Sequence, residues 1–446
     1  MNKNILLVNP WICDFAAYDL WIVPLGLLNI AACLKAKGIN LQLLDLLNRF
    51  EYPATDHKND KSITAAFGTG HFLKREIPKP KVISDMPRKF FRYGIPEPAA
   101  REKLSKIKPD IILVTSGMTY WYVGIQQTID LMRSVYGNEC PIILGGTYAT
   151  LCPEHAQANT KADIVFRGTD IPEIIKCVNQ KLDIKIKEDH NENIFPAFEL
   201  LTNTQALPVL ASLGCPFQCT YCASRLLYPE FKQRQPGDLI AYLQRCVSEF
   251  KTKDFIFYDD ALFVNSDKFI KLVLKGVIEK KLEARFHTPN GLHARFIDQE
   301  LAQLMYRSGF KSIRLSLESS GDFLKTKSSS KVTNEHLKNA VKLLQNAGFT
   351  KSQIGVYTLA GFPGHSPEDI QNDMEFVSSL GASVHLSSFS LVPRTEEWES
   401  FINKGMITKD TDPLRLGHTA FPVLYAGFEE AQMRQLRRRA AEFNRK

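Results

Sequence analysis

Three cysteines lie close together near the middle of this 446-residue chain, at Cys215, Cys219 and Cys222. Thiolates are soft ligands that suit iron–sulfur clusters and zinc. Spacings of four and three residues allow one short loop to wrap a single cubic cluster. Such a loop supplies three sulfurs to four irons, so one iron remains open to a ligand that is not protein. The loop therefore predicts a four-iron cluster with one open coordination position.

The same cysteines allow two other interpretations. A zinc site would take a distant histidine or cysteine as its fourth ligand, but zinc loops usually bring paired Cys-x-x-Cys units, and the sequence has no second pair. Buried core thiols are the other alternative, and the intervening Pro216, Gln218 and Thr220 make the run too polar for that. The spacing favours iron–sulfur over zinc.

Composition places the chain among globular proteins, with 44% apolar and 23% charged residues, and its length predicts two or three domains. The net charge of +8 is spread along the chain and favours, at most, an anionic substrate or partner. The apolar start at Ile5 stops at Pro10, and the apolar stretch 21–34 is too short to span a bilayer. With nine cysteines and no visible secretory signal, we expect a cytoplasmic protein with a metal site and no membrane span.

Residues 1–181 alternate short apolar runs with helical stretches. Strand signals lie at 5–8, 39–44, 110–115, 142–144 and 163–166, and helical stretches at 25–37, 123–136 and 171–179. This alternation predicts a doubly wound, Rossmann-like parallel sheet, in which ligands bind at the carboxyl ends of the strands. The candidate binding residues at those ends are Asn9, Ser116, Gly117, Gly145, Gly146, Thr147 and Gly168.

Residues 50–101 interrupt this alternation with a segment rich in proline, lysine and arginine. A loop of this length is usually functional or disordered. It mixes aromatic residues with cations, which fits either contact with an anion or a surface insertion held down by Phe90, Phe91 and Tyr93. The polar stretch 182–205 is predicted to link this domain to the next.

A second alternation spans residues 206–395. Strands are predicted at 207–213, 255–258, 284–287, 312–317, 353–359 and 384–390, and helices at 236–250, 266–280, 298–308, 334–347 and 366–380. Six strand–helix steps are too few for an eight-stranded barrel, so we expect a partial, open six-stranded (βα)6 barrel. Residues 396–446 are predicted to form a helical extension, whose basic end favours a solvated amphipathic helix over a nucleic-acid contact.

The cysteine loop and the predicted barrel resemble the radical S-adenosylmethionine (SAM) superfamily. The signature of that family is Cys-x-x-x-Cys-x-x-Cys with an aromatic residue before the last cysteine, here Tyr221, and the loop follows the first barrel strand. The resemblance implies a [4Fe-4S] cluster whose open iron is chelated by SAM, and cleavage of SAM to a 5′-deoxyadenosyl radical. It also implies an electron donor of the flavodoxin or ferredoxin type.

Polar residues at the predicted barrel strand ends are candidates for binding SAM. Asp259 and Asp260 follow the second strand, where a carboxylate can accept a hydrogen bond from the SAM ammonium or cap a helix. Asn290 and Arg295 follow the third strand and are candidates for the ribose hydroxyls or the SAM carboxylate.

The fourth and fifth predicted strands end in two further candidate sets. Alternation puts Ser316 and Glu318 on one face, where a carboxylate needs a partner such as a ribose or a substrate. Gly361 and Phe362 lie in a tight backbone run that suits contact with adenine. Glu318 and Asp259 are the candidate catalytic residues of the whole set.

Several runs resemble the cobalamin-binding branch of that superfamily. They are the runs at 24–28, 116–119 and 145–150 in the first domain, and those at 290–291, 318–319, 361–364 and 393–395 in the barrel. This resemblance implies cobalamin as a third cofactor, and methylation, ring closure or rearrangement at an unreactive carbon of a small-molecule or peptide substrate. The Asp-x-His-x-x-Gly run that supplies a lower cobalt ligand in some cobalamin proteins is absent, and residues 168–173 depart from the family's Gly-Glu-x-Glu.

Two alternatives stay open beside the cobalamin-dependent enzyme. One is a radical SAM enzyme without cobalamin, in which the first domain serves as a substrate platform. The other is a non-catalytic cofactor carrier or chaperone of the same fold. A methylthiotransferase would need a second cysteine triad in the first domain, and the scattered cysteines there do not show that pattern.

Overall fold

The chain divides into two units, Met1–Thr204 and Gln205–Lys446. The first unit is built on a five-stranded parallel sheet. The computed structural model describes residues 3–51, 64–184, 195–321, 324, 327–328 and 332–445. The strands of this sheet are β1 Asn4–Asn9, β3 Asn40–Asp45, β6 Ile111–Val114, β7 Ile142–Leu144 and β8 Ile164–Val165. They lie in the order β3-β1-β6-β7-β8, so the direction of winding reverses between β1 and β6. Sheets of this kind bind ligands at that switch point.

Helices connect these strands. They are α1 Leu25–Lys35, α2 Glu97–Ser105, α3 Tyr122–Tyr136, α4 Thr147–Leu151, α5 Pro153–Asn159 and α6 Ile171–Leu182. Apolar side chains of the sheet, such as Leu7 and Ile143, pack with Leu34 of α1 and Val178 of α6 in one buried core. The doubly wound fold predicted from the alternating pattern is therefore confirmed.

A second, antiparallel sheet in this unit was not predicted from the sequence. Its strands are β2 Ile12–Asp14, β4 Lys74–Ile77 and β5 Phe90–Tyr93, in the order β2-β5-β4. Phe90 and Tyr93 are only 1% and 4% exposed, so the aromatic residues do hold this part of the 50–101 insertion down. Strands of three or four residues show too little alternation to be recognised in a sequence. Residues 52–63 of the insertion lie outside the described residues.

The stretch predicted as a linker, 182–205, is described only at its two ends. α6 continues to Leu182, and residues 185–194 lie outside the described part of the chain. Beyond them, Ala197 is 3% exposed in the core of the first unit, with Leu200 packed against it. These residues therefore pack as part of the first unit.

In the described part of the second unit, six parallel strands follow one another in chain order. They are β9 Ala206–Val209, β12 Asp254–Phe257, β13 Arg285–His287, β15 Phe310–Glu318, β16 Ile354–Ala360 and β17 Ser383–Ser388. Short strands accompany them: β14 Leu292–His293 pairs with β15, and β10 Ser212–Leu213 pairs with β11 Lys232–Gln233. Because β9 and β17 are the two edges, the sheet is the open six-stranded barrel that the sequence predicts.

Helices alternate with these strands and then form a C-terminal region. They are α7 Ser224–Leu227, α8 Pro236–Phe250, α9 Ile270–Glu279, α10 Gln299–Ser308, α11 Asn334–Ala347, α12 Pro367–Ser379, α13 Glu396–Asn403, α14 Phe421–Leu424 and α15 Glu430–Arg445. The Asn444 amide of α15 donates to the Val384 carbonyl (2.8 Å) and accepts from its N–H (2.7 Å), which covers part of the edge strand β17. Across the described residues, no helix combines the length and apolar character that crossing a bilayer requires.

Candidate active site

The cysteine loop starts after β10 and ends at α7, beyond the carboxyl end of β9. Cys215 and Cys219 are half-buried, and Cys222 is exposed. Within the described ranges, no three histidine, cysteine or acidic side chains converge on one metal-ion position. Three thiols on one loop fit the donor chemistry of an iron–sulfur cluster, whose iron atoms are held by separate thiolates.

Two adjacent aspartates clamp the ends of this loop. The carboxylate of Asp259, which is 3% exposed, accepts from the backbone nitrogens of Ala211 (3.1 Å) and Ser212 (2.5 Å) and from the Ser212 hydroxyl (2.5 Å). Asp260 accepts from the Ser224 hydroxyl at 2.5 Å. Ser212 and Ser224 flank the three cysteines, so the pair sets the span of the loop. The sequence predicts that Asp259 meets SAM, whereas the structure directs both of its oxygens at the loop.

Phe217 fastens the loop to the residues after β13. Its ring lies 4.4 Å from the ring of His293, and the Arg295 guanidinium lies 5.8 Å from its centroid, within reach of a cation–π contact. Nearby, the Asn290 side chain donates to the Tyr258 carbonyl at 2.7 Å and so fixes the end of β12. Asn290 and Arg295, both predicted to bind SAM, are thus also parts of the frame around the cysteines.

A buried ion pair holds the loop at Thr220. Glu397 of α13 is 2% exposed, and it accepts from the Thr220 hydroxyl (3.0 Å) and from Lys327 Nζ (2.7 and 2.9 Å). Backbone hydrogen bonds join the same residues, from Thr220 N to Lys327 O and from Glu397 N to Thr220 O, both at 2.9 Å. Neither Glu397 nor Lys327 was identified from the sequence. The C-terminal region therefore helps to build the site.

Glu318 ends β15 in a strained backbone conformation. Its φ of 69° lies in the left-handed region, and the register with β16 shifts between Ser316 and Glu318. The residues that follow are held by Asp373 of α12, whose carboxylate accepts from the Ser320 N–H (2.6 Å) and the Ser319 hydroxyl (3.2 Å). Strain of this kind clusters at functional sites, which supports the sequence-based choice of Glu318.

Tyr221 lies close to Glu318 at the same end of the barrel. Burial, and next the negative charges of Glu318, Cys219 and Cys222, raise the pKa of Tyr221 well above its usual value. Opposite Glu318 in the strand register, the Thr358 hydroxyl is buried and has no hydrogen-bond partner among the described residues. Leaving such a group unpaired costs free energy, so this region fits a polar ligand such as SAM.

The other residues predicted at these strand ends have different surroundings. Ser316 is buried, with its hydroxyl against Gly291. Phe362 is 2% exposed and packs in the hydrophobic core of the C-terminal region. Gly361 lies against Pro422. The side chain of Phe362 is therefore occupied by core packing, and the prediction that these two residues contact adenine could involve only their backbone.

In the first unit, predicted residues lie at the carboxyl ends of neighbouring strands of the sheet. The Asn9 amide donates to Asp45 Oδ1 at 2.7 Å and joins the ends of β1 and β3. The Ser116 hydroxyl donates to the Gly145 carbonyl at 2.6 Å and accepts from the first turn of α4. Gly146 has a φ of 92°, and a Cβ there would lie 2.5 Å from the Ser116 carbonyl, so the turn requires glycine.

Open space borders this turn. Apart from each glycine and its two chain neighbours, no atom of the described residues lies within 4 Å of the position of a Cβ at Gly145 or Gly168, at the ends of β7 and β8. Thr147 begins α4 beside them. A Cβ at Gly117, in contrast, would lie 3.1 Å from the ring of Trp121. Bare backbone next to open space fits the close approach of a large ligand such as a corrin.

The segment after β1, where some cobalamin proteins carry the Asp-x-His-x-x-Gly run, packs against the insertion in this protein. Its Trp11 side chain is 1% exposed and donates to the Ile95 carbonyl at 2.8 Å. The guanidinium of Arg92 stacks on the Trp11 ring at 4.4 Å. Residues 12–14 of this segment form a strand of the antiparallel sheet. The segment contains no histidine, so it has no imidazole for a cobalt ion.

The ionisation of Asp259 predicts a pH dependence of stability. Burial raises the pKa of Asp259 to about 7, although the hydrogen bonds from Ser212 and Ala211 act to lower it. The pKa of Asp259 is higher in the folded protein than in the unfolded chain. The contribution of Asp259 to the free energy of unfolding is therefore fully present below about pH 4 and is lost as the pH rises through about 7. We expect the unfolding free energy of metal-free wild type to fall by about 2–3 kcal/mol relative to Asp259→Asn between about pH 5 and pH 8. Urea titrations measure this, and a difference that does not change with pH would contradict it.

Comparison with known proteins agrees with this architecture. Residues 209–377 match the family model described as the Radical SAM superfamily. A cytidylyl-2-hydroxyethylphosphonate methyltransferase of Streptomyces wedmorensis is 21% identical over an alignment of 515 positions, which covers 99% of this chain and 89% of that protein. An anaerobic magnesium-protoporphyrin IX monomethyl ester cyclase of Cereibacter sphaeroides is 22% identical over 297 residues, 57% of this chain and 47% of that protein.

A solved structure resembles this one over its whole length. It is the radical SAM methyltransferase TsrM of Kitasatospora setae with cobalamin and a [4Fe-4S] cluster bound, with a TM-score of 0.65, 14% identity, and coverage of 99% of this chain and 91% of that one. At this identity the likeness shows the fold. The segment that matches the family model begins at the end of β9 and contains all three cysteines. The second unit therefore carries a segment, residues 209–377, that matches the Radical SAM superfamily.

Proposed function

We propose that this chain is a cobalamin-dependent radical SAM enzyme that transfers a methyl group to an unreactive carbon of a small-molecule or peptide substrate. One observation carries the proposal: a three-cysteine loop, fastened at four places to one end of a six-stranded barrel, follows a doubly wound sheet with open glycine backbone at its strand ends. The similarity to a methyltransferase over 99% of the chain supports this choice.

The residues of the barrel have separate tasks in this proposal. Cys215, Cys219 and Cys222 hold the cluster, and the clamp and the ion pair keep the loop in one conformation. Glu318 accepts from the ribose hydroxyls of SAM, since it ends β15 and has a strained backbone of the kind found at functional sites. When bound, the cluster supplies the electron that cleaves SAM, and cobalamin supplies the transferred methyl group. An electron donor of the flavodoxin or ferredoxin type serves the cluster, in a reducing cytoplasm.

The residues of the first unit hold cobalamin in this proposal. Ser116 keeps the turn at Gly146 in place, and Gly145 and Gly168 leave room for the corrin or its tail. Asn9 and Asp45 offer polar side chains at the neighbouring strand ends. No histidine is assigned to the cobalt, because the segment after β1 is built into the antiparallel sheet.

Titration with cobalamin tests the proposal. The protein is reconstituted anaerobically with iron and sulfide, and cobalamin binding is followed by its absorbance; we expect saturation at one cobalamin per chain. Gly145→Val is the matched variant, because its side chain would enter the open space without meeting a described atom. It should bind cobalamin at least about tenfold more weakly, which is about 1.4 kcal/mol, with the cluster content unchanged. Absence of saturable binding to the cluster-loaded wild type would overturn the cobalamin part.

A radical SAM enzyme without cobalamin is the second candidate, and the buried Trp11 segment in place of a histidine loop favours it. It requires formation of 5′-deoxyadenosine from SAM by a protein that does not bind cobalamin. A protein with an intact cluster that never cleaves SAM under strong reduction would instead be a carrier or chaperone of this fold.

A further inference from the structure

A guanidinium within the barrel sheet has no ion-pair partner among the residues that the structure describes. Arg314 stands in the middle of β15, opposite Gly355 of β16. A Cβ at Gly355 would lie 2.8 Å from Arg314 Nη1 and 2.8 Å from His385 Nε2. The two side chains therefore meet over bare backbone, and any larger residue at position 355 would separate them.

No carboxylate in the described part of the chain forms an ion pair with Arg314. Its Nη1 donates to the carbonyl of Ile313 at 3.1 Å. The neighbouring Arg285 shows the contrast, because its Nε donates to the carboxylate of Asp254 at 2.7 Å. A guanidinium withdrawn from water without a counter-ion costs free energy, and an anionic ligand would remove that cost.

The groups around Arg314 favour an anion. Burial, with the charge of Arg314 second, lowers the pKa of His385 to about 4, so its imidazole is neutral at physiological pH. The Tyr357 hydroxyl donates to the Pro289 carbonyl at 2.8 Å, and the charge of Arg314 opposes the rise in its pKa that burial causes. Burial lowers the pKa of Arg314 itself, but a guanidinium stays protonated in proteins. The cluster therefore carries positive charge and polar groups that suit an oxyanion.

The position of Arg314 relates it to the candidate active site. Alternation along β15 puts Arg314 and Ser316 on one face, away from the fully buried Ile313 and Leu315. Arg314 and Glu318 are four positions apart, which is about 13 Å along an extended strand. A ligand bound at Arg314 can therefore extend toward the end of the barrel that carries the cysteine loop.

We propose that Arg314, together with His385, forms a subsite that binds an anionic group of the substrate, a carboxylate or a phosphate. That the anion belongs to the substrate rests on the proposed radical SAM function, whereas anion binding itself does not. The experiments below distinguish this role from two rival ones, which are binding of the SAM carboxylate by Arg314 and stabilisation of the sheet alone.

Anion binding to the reconstituted protein tests the subsite. Inorganic phosphate and succinate are titrated separately by calorimetry, which tells a phosphate site from a carboxylate site. We expect saturable binding of at least one of them, weakened at least tenfold in Arg314→Gln and less in Arg314→Lys. Lys311→Gln, which removes an exposed charge from the same strand, should bind as wild type does. Equal binding by wild type and Arg314→Gln, or no saturable binding of either anion to wild type, would overturn the subsite.

SAM provides the second readout. Affinity for SAM and the slow cleavage of SAM without substrate should be unchanged in Arg314→Gln, and a loss of SAM affinity would overturn the substrate subsite in favour of the SAM carboxylate. If Arg314→Gln does not fold, Arg314→Lys and His385→Gln carry the same comparison. Anion binding in a protein that never cleaves SAM would keep the subsite and remove the proposed function. Normal SAM cleavage without anion binding would keep the proposed function and remove the subsite.

Discussion

Replacing Cys219 with alanine is expected to abolish assembly of the cluster and, with it, all cleavage of SAM. The loop is fastened on both sides of Cys219, at Phe217 and at Thr220, so it cannot shift to bring in another thiol. The remaining cysteine of the second unit, Cys246, is buried in α8, and burial raises its pKa to about 12. A thiol with such a pKa does not supply the thiolate that iron requires.

Iron and sulfide per chain, together with the absorbance of the cluster, measure this result after anaerobic reconstitution. Formation of 5′-deoxyadenosine from SAM under reduction gives the second readout. Cys177→Ala is the matched control, because Cys177 is a half-buried cysteine of the first unit, on α6. It should assemble a normal cluster. A Cys219→Ala protein that keeps full SAM cleavage would refute the assignment of the whole site.

The two parallel sheets could be predicted because buried parallel strands appear in a sequence as continuous apolar runs between helical stretches. The strands Ile111–Val114 and Ile142–Leu144 lie inside the predicted ranges for this reason. The antiparallel sheet could not be predicted in the same way. Its strand Ile12–Asp14 has three residues, and it pairs with residues 91–93, far away in the chain. Nothing local marks such a pairing.

The candidate site, like the fold, could be predicted from the sequence only in its local features. The cysteine loop is a local motif, so its chemistry was readable, but its fastening depends on pairs distant in sequence. Thr220 and Glu397 are separated by 177 positions, and Ser224 and Asp260 by 36. An acidic pair at a strand end could be recognised, but not the donors that it would meet. Arg314 did give a signal, since a charged residue in a buried strand needs a partner.

Replacing Lys327 with methionine is expected to destabilise the second unit by about 3 kcal/mol and to lower the amount of cluster that it retains. The Glu397 side chain is 2% exposed and that of Lys327 27%, with 2.7 Å between the charged atoms. Removal of one partner leaves a buried charge, which costs about 3–5 kcal/mol. The lower end applies here because Lys327 is partly hydrated. Since the same carboxylate accepts from Thr220, the loss extends to the cysteine loop.

The double variant Lys327→Met/Glu397→Leu separates charge from packing. It removes both charges, and the backbone hydrogen bonds of Thr220 with residues 327 and 397 do not depend on either side chain. Stability and cluster content should therefore recover by at least about half, because an apolar pair of similar size often replaces a buried ion pair without loss. Urea unfolding and iron per chain measure both, with exposed Lys409→Met as the control. If the double variant were as unstable as Lys327→Met, the unpaired carboxylate would not be the cause. If Lys327→Met kept its full cluster and stability, the ion pair would not hold the loop.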